Sequence, residues 1–102
     1  MVRHFVRYVV KFGHYRDWRA AVKAENEALA KLGMPTYRFY SADLDIANEV
    51  FSEAVYESKA DVERFDKVLE ADPEFSKLIG VELSHVVDGS LHGYLLSEIP
   101  LD

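Results

Sequence analysis

The hydrophobic periodicity of the chain changes in a fixed order, and this order limits the fold more than any other sequence feature. Residues 2–12 are rich in β-branched and aromatic residues and alternate in chemistry as a strand does, and Gly13 ends the run. Residues 14–32 change to helical spacing, and Gly33 and Pro35 follow as stop signals. The chain therefore begins with a strand and a long amphipathic helix.

Two further strands are predicted after this helix. Residues 36–42 and Glu49–Tyr56 are dense in aromatic and β-branched residues. Residues 43–48 form a polar connection of hairpin length between them. The two strands are therefore expected to be neighbours along the chain.

A second helical region follows, and it is predicted in two parts. Ser58 is followed three residues later by Asp61, which is typical of a helix N-cap with a capping box. Asp72 followed by Pro73 predicts a second helix start, with Asp72 as N-cap and proline in the first position. Gly80 is expected to end this short helix.

The order β-α-β-β-α-β predicts an α+β ferredoxin-like fold with a four-stranded antiparallel sheet and two helices on one face. Residues 81–99 are predicted to be extended, with a turn at Asp88-Gly89, and to add a C-terminal hairpin. With 102 residues, the chain has room for about one core. We therefore expect residues 1–102 to form a single domain.

The charge pattern of the first and third strands predicts their register and the role of each sheet face. In one antiparallel register, Phe5 faces Val55 and Val9 faces Phe51, and the same register forms three ion pairs: Arg3–Glu57, Arg7–Glu53 and Lys11–Glu49. Burying these charges without water would cost several kcal/mol per ion, so this face is expected to meet solvent or a second mixed sheet. The apolar residues among the charges favour an isologous homodimer through this face.

The opposite face of the first strand is more apolar and is expected to face the helices. It carries these residues: Val2, His4, Val6, Tyr8, Val10 and Phe12. In the predicted register His4 pairs with Tyr56, and Tyr8 pairs with Ser52.

Residues 48–75, NEVFSEAVYESKADVERFDKVLEADPEF, resemble the NIPSNAP family. The shared pattern is Asn-Glu-Val opening the third strand, a Tyr near its end, a Ser-x-x-[AD] helix cap and an Ala-Asp-Pro-Glu-aromatic break. The block that ends at Gly33 also fits, whereas the tail SHVVDGSLHGY departs from the pattern. The resemblance implies a dimeric α/β barrel, in which two four-stranded sheets pack face to face. The wider superfamily includes cofactor-independent monooxygenases, isomerases, decarboxylating or haem-handling enzymes and many proteins of no known activity. Because NIPSNAP proteins lack an agreed catalytic motif, the resemblance implies no catalytic residue.

Polar side chains on the helix-facing side predict a small-molecule pocket between sheet and helices. The candidate ligand-binding residues are His4, Tyr8, Trp18, Glu25, Ser52 and Tyr56. Glu25 lies on the apolar stripe of the first helix, where desolvation raises the pKa of a carboxyl group and suits it to act as a base. Glu25 could instead reach solvent or pair with an Arg or His, and the other residues could form a hydrogen-bonded core.

Several classes of function are disfavoured by composition. The net charge of −6 argues against nucleic-acid binding, and no apolar run is long enough to span a membrane. Since cysteine and the common nucleotide, zinc-protease and hydrolase motifs are absent, no cofactor is expected. His85, His92 and Asp88 flank a turn, where histidines are usually surface residues, and no metal is expected there. A cytoplasmic location is expected.

Three functional hypotheses remain open at this stage. The first is a small-molecule-binding homodimer of uncharacterised role. The second is a cofactor-independent monooxygenase or isomerase that uses the same pocket, with Glu25 or His4 as the base. The third is a structural or partner-binding module without a pocket.

Overall fold

The computed structural model of the chain describes residues 1–42 and 47–102. The elements are β1 (Val2–Val9), α1 (Tyr15–Lys31), β2 (Arg38–Ser41), β3 (Glu49–Tyr56), α2 (Lys59–Glu70), α3 (Pro73–Ser84) and β4 (His92–Ser97). The four strands form one antiparallel sheet in the order β2-β3-β1-β4, so β1 is central between β3 and β4. The predicted ferredoxin-like α+β fold is confirmed.

The caps read from the sequence are present at the helix ends. Ser58 accepts a hydrogen bond from the Asp61 amide at 3.2 Å, and Asp72 accepts from the amide of Phe75 at 3.3 Å. Gly33 follows α1 with a φ of +70°, a left-handed conformation that favours glycine at this position. Within residues 1–42 and 47–102, no helix has the length and apolar character needed to cross a membrane.

The prediction that Gly80 ends the last helix is wrong, because α3 continues through it to Ser84. Gly80 has no left-handed φ and lies inside the helix, where a glycine costs about 1 kcal/mol but does not break the hydrogen-bond ladder. The extra turn of helix carries Glu82 to the sheet side, where this residue is buried.

The predicted C-terminal hairpin is also wrong. The turn at Asp88-Gly89 is present, and Gly89 has a φ of +77°. The residues before and after this turn do not pair with each other; both pair with β1 or with Val10, which directly follows it. Val86 forms a single antiparallel bridge with Val10, and β4 pairs along β1. The tail thus supplies the fourth strand of the sheet.

The assignment of the two sheet faces is confirmed, with one exception at the end of β1. Alternate residues of β1 and β3, such as Tyr8 and Ala54, are buried against the helices. Strand β1 stops at Val9, however, and Phe12 is 94% exposed, so the prediction that the strand and its buried face extend to Phe12 is wrong. Of the predicted polar connection over residues 43–48, residues 43–46 lie outside the described part of the chain.

The predicted register between the first and third strands is wrong by two residues. Arg3 faces Val55, Phe5 faces Glu53, and Arg7 faces Phe51. A shift of two keeps every side chain on its face. Long arginine side chains can still reach carboxylates one pair away along the diagonal. The ion pairs that form are Arg3–Glu53 at 2.8 Å and Arg7–Glu49 at 3.8 Å.

The same shift changes the pairs on the helix-facing side. His4 faces Ala54 instead of Tyr56, and Tyr8 faces Val50 instead of Ser52. Val50, Tyr8 and their neighbours form one of the two apolar clusters of the core. Packing on the buried face therefore decided the register, because ion pairs on the exposed face contribute only about 0–1 kcal/mol each.

Candidate functional site

A cavity of about 270 Å³ lies between the sheet and the helices α1 and α3. Four of the six predicted ligand-binding residues line it: His4, Tyr8, Glu25 and Ser52. The cavity is walled mainly by apolar and aromatic side chains, as ligand pockets commonly are. The other lining residues are Val6, Tyr37, Phe39, Ile79, Glu82, Leu83, Leu91 and Gly93.

Trp18 and Tyr56, the other two predicted residues, do not line this cavity. Trp18 instead lines a larger groove, of about 1010 Å³, beside α1 and β2. The indole nitrogen of Trp18 donates a hydrogen bond to the Tyr8 hydroxyl oxygen at 2.7 Å. The Trp18 ring also packs edge-on against Tyr8, with ring centroids 6.3 Å apart. Trp18 therefore orients Tyr8 instead of contacting the cavity itself.

Tyr56 belongs to a second apolar cluster with Val2, Ala54 and Val62. Burial raises the pKa of its phenol, and the nearby Asp66 carboxylate adds to the effect. Tyr37, which lines the cavity, is close enough to Tyr56 to offset part of this rise. Asn26 fixes Tyr37 in turn, since its side-chain amide exchanges two hydrogen bonds of 2.8 Å with the Tyr37 backbone.

The polar centre of the site is a pair of buried carboxyl groups from two helices. Glu25 on α1 is 2% exposed, and Glu82 on α3 is 9% exposed. The two side chains are close enough for Glu82 to affect the titration of Glu25. The Tyr8 hydroxyl donates a hydrogen bond to the Glu82 carboxylate oxygen Oε2.

Glu25 is the protonated member of this pair. Burial raises its pKa to about 9 from an ordinary value of 4.5, and the adjacent Glu82 charge adds to the rise. The Glu25 oxygen Oε2 is buried and has no hydrogen-bond partner. The Glu25 side chain contributes to the cavity lining, but this oxygen is itself enclosed by protein.

The Tyr8 hydroxyl stays a neutral hydrogen-bond donor in this setting. Burial is the main cause that raises its pKa above the ordinary phenol value, and the Glu82 charge is the second. Trp18 therefore donates a hydrogen bond to Tyr8, and Tyr8 donates one to Glu82. This series stabilises one negative charge at the edge of the cavity.

Sequence reasoning missed Glu82, the partner of Glu25. The alternatives raised for Glu25, an exposed carboxylate or a pair with Arg or His, both differ from what the structure shows. The sequence does contain an indication that Glu82 is buried. Phe75 and Glu82 are seven residues apart, a spacing that places both on the same, inward face of α3. It was hidden by the expectation that the helix ended at Gly80.

The histidines near the tail turn lie elsewhere. His85 at the end of α3 contacts His14 at the start of α1, with 3.0 Å between their Nδ1 atoms. Across residues 1–42 and 47–102, no group of three or more His, Asp or Glu side chains is arranged to hold a metal ion.

The sheet order and the helix layer define an architecture shared by NIPSNAP proteins and antibiotic biosynthesis monooxygenases. A NIPSNAP domain protein from Burkholderia xenovorans is similar over 97% of this chain and 95% of its own, with a TM-score of 0.79 and 14% identity. A NIPSNAP family protein from Agrobacterium tumefaciens gives a TM-score of 0.76 with 18% identity, over 99% of this chain and 93% of its own.

A putative antibiotic biosynthesis monooxygenase from Nitrosomonas europaea has a TM-score of 0.73 and 10% identity, over 98% of this chain and all of its own. No protein-family model and no curated protein matches the chain. At these identities the likeness establishes the fold alone, and it confirms the ferredoxin-like fold of the single chain that the sequence resemblance implied.

Proposed function

We propose that the protein binds a small, neutral, largely apolar molecule in the cavity between the sheet and helices α1 and α3. The observation that supports this proposal most directly is the lining of the cavity, in which mainly apolar walls surround a few polar side chains such as those of Tyr8 and Ser52. The cavity volume of about 270 Å³ is near the lower end for ligand sites, which favours a compact molecule. The net negative charge of the carboxyl pair disfavours anionic ligands.

Gly93 offers a direct test of binding. It lies on the cavity side of β4, and a Cβ added there meets only His4 Nε2, at 3.9 Å. Gly93→Leu therefore places its side chain in the cavity without a backbone clash. The probe is the neutral ketone 2-tetralone, followed by NMR through the indole N–H signal of Trp18.

We expect 2-tetralone to shift the Trp18 signal in the wild type and to have no effect on Gly93→Leu. His92→Leu on the same strand is the matched control, because His92 is exposed and lies outside the cavity lining. The proposal fails if the wild type does not respond, or if Gly93→Leu responds as the wild type does.

We also propose that the protein is a homodimer joined through the outer sheet face. The side chains on this face combine apolar groups with the ion pairs of Arg3 and Arg7. Tyr94 and Leu96 extend the same face along β4 and are about half exposed. An exposed apolar sheet face of this kind is typical of an assembly surface. The apolar residues concerned are Phe5, Val9, Phe51, Val55, Tyr94 and Leu96.

Phe51→Arg tests the dimer, since it places an unpaired charge on this face. Sedimentation velocity is expected to show a dimer for the wild type and a monomer for Phe51→Arg. Val68→Arg, on an exposed position of α2, is expected to remain dimeric. An unchanged sedimentation profile for Phe51→Arg would contradict this interface.

A second candidate function is a cofactor-independent monooxygenase or isomerase that acts in the same cavity. The observation that favours it is the burial of Glu25 and Glu82 next to each other, because simple ligand binding does not require two adjacent buried carboxyl groups. One of the structurally similar proteins carries the name antibiotic biosynthesis monooxygenase. The third hypothesis, a module without a pocket, has less support because a lined cavity is present.

A further inference from the structure

We propose that the groove beside α1 and β2 binds an extended acidic peptide, which pairs with the outer edge of β2 and places its carboxylates against α1. This α1–β2 groove is distinct from the cavity between the sheet and α3, and Phe39 is the one described residue that lines both. The inference therefore goes beyond the binding function proposed above. The groove residues that carry it are Arg16, Arg19, Lys23 and Asn26 on the helix and Phe39 and Tyr40 on the strand.

The outer edge of β2 offers backbone groups to a further strand. β2 stands at one end of the sheet order, so none of the described strands lies beyond it. The Ala42 amide donates to the Glu49 carbonyl at 3.1 Å, and such bonded pairs alternate along an antiparallel ladder. Phe39 lies at the alternate position of this ladder, so its N–H and C=O point away from β3. The main chain of β2 can therefore pair with an added peptide strand.

Asn26 on α1 already pairs with this edge through an amide group. Its side chain donates to the Tyr37 carbonyl and accepts from the Tyr37 N–H, each at 2.8 Å. A neighbouring strand makes the same two bonds with a residue on the edge of a sheet. Because Tyr37 and Phe39 are two residues apart, they face the same edge. A peptide in the groove continues at Phe39 the pairing that Asn26 makes at Tyr37.

The helix side of the groove has an excess of positive charge. Arg16, Arg19 and Lys23 are spaced three and four residues apart and therefore lie along one face of α1. All three are exposed, and within the described ranges 1–42 and 47–102 none of them forms an ion pair. Glu27 is the one acidic residue in the described lining, so three cations against one carboxylate leave a net positive charge. This charge complements an acidic partner.

The shape of the groove favours a peptide over a compact anion. Its lining on α1 runs from Tyr15 to Ala30, which is about 22 Å of helix. Six or seven extended residues cover about the same length. Arg16 and Lys23 are about 10 Å apart along the helix axis, and carboxylates on alternate residues of a strand are about 7 Å apart. The long side chains of arginine and lysine can bridge this difference, so two or three acidic residues can each meet a cation.

The test measures binding of the fluorescein-labelled peptide Glu-Val-Glu-Thr-Glu-Val by fluorescence anisotropy. The wild type is expected to bind this peptide, and to bind the version with Gln in place of each Glu about tenfold more weakly or worse. Arg19→Gln/Lys23→Gln is expected to lose about tenfold in affinity for the acidic peptide. Lys31→Gln is the matched control, because Lys31 is exposed on the same helix and lies outside the groove lining. Its affinity is expected to stay within about twofold of the wild type.

N-methylation of the peptide tests the main-chain pairing. The N–H groups of successive residues in a strand point to opposite edges, so methylation at the Glu residues blocks one edge and methylation at the other residues blocks the opposite edge. Exactly one of these two methylated peptides is expected to lose binding. The unmodified peptide is also expected to shift the amide signal of Phe39 in NMR spectra. Equal binding of the two methylated peptides, or equal loss, contradicts pairing with the edge of β2.

Three further results overturn the proposal. If the wild type does not bind the acidic peptide, or binds the Gln version equally well, the groove is not a site for acidic peptides. If N-acetylglutamate at the same carboxylate concentration displaces the peptide, the groove is a site for small anions. If Arg19→Gln/Lys23→Gln dissociates a wild-type dimer in sedimentation velocity, the groove is an interface between copies of the chain. None of these results affects the cavity, which 2-tetralone and Gly93→Leu test separately.

Discussion

Replacement of Glu25 by Gln is expected to stabilise the protein at neutral pH and to leave it unchanged in acid. The folded state raises the pKa of Glu25 from 4.5 to about 9, so this carboxyl group binds its proton more tightly when folded. The stability that depends on this proton is fully present below pH 4.5 and is lost as the pH rises toward 9. At pH 7 the loss is about 3 kcal/mol, at about 1.4 kcal/mol per pH unit.

The Glu25→Gln variant avoids this loss because the substituted side chain is neutral at every pH in the range. Its amide N–H can also donate a hydrogen bond to the adjacent Glu82 side chain. Urea unfolding followed by circular dichroism between pH 4.5 and 9 measures the effect. A gain of about 3 kcal/mol at pH 7 moves the midpoint by about 1–3 M urea, given the usual slope for small domains.

The comparison has a matched control in Glu27→Gln, since Glu27 is exposed on the same helix. This variant is expected to follow the wild type closely across the whole pH range. The stability curves of wild type and Glu25→Gln are expected to converge near pH 4.5 and to separate steadily above it. Curves that run parallel from about pH 5 to 9 would show that burial does not raise the pKa of Glu25.

Three further substitutions test the local structure by urea unfolding. Gly80→Ala is expected to raise the free energy of unfolding by about 0.5–1 kcal/mol, because Gly80 is helical and an added Cβ contacts nothing within 4 Å. A lower free energy of unfolding would contradict the helical conformation of Gly80. Asp72→Ala is expected to cost about 1 kcal/mol through the lost α3 cap, and Asp72→Asn much less. Asn26→Ala is expected to cost about 2 kcal/mol, since it leaves the Tyr37 backbone unpaired; a neutral effect would show that water replaces the amide.

The order and type of the elements could be predicted because they depend on local signals. Caps such as Ser58 and Asp72 act over three residues, and the inward stripe of α1 repeats along a single helix. The limits of the last helix were harder to predict. A glycine such as Gly80 weakens a helix by only about 1 kcal/mol, and packing of the following turn on the sheet can exceed this cost.

The register between β1 and β3 shows what charge patterns alone can decide. The alternation of side chains correctly separates the two faces, because a one-residue shift would expose the core. A two-residue shift keeps the faces and changes only which side chains are opposite. Arg3 then reaches Glu53 along the diagonal, so the ion-pair energy changes little between the two registers. The choice rests on packing of the buried face, which a list of charges does not contain.

The candidate site combines one residue that the sequence indicates and one that only the tertiary structure reveals. Glu25 interrupts an apolar stripe, but the meaning of that interruption depends on Glu82, which is 57 positions away in the chain. A buried carboxyl pair is less stabilising than apolar side chains of similar volume. The same burial that lowers stability keeps Glu25 protonated near neutral pH. A functional pair should therefore trade stability against activity, so that Glu25→Gln gains the first as it loses the second. A purely structural pair offers no reason for the two properties to change in opposite directions.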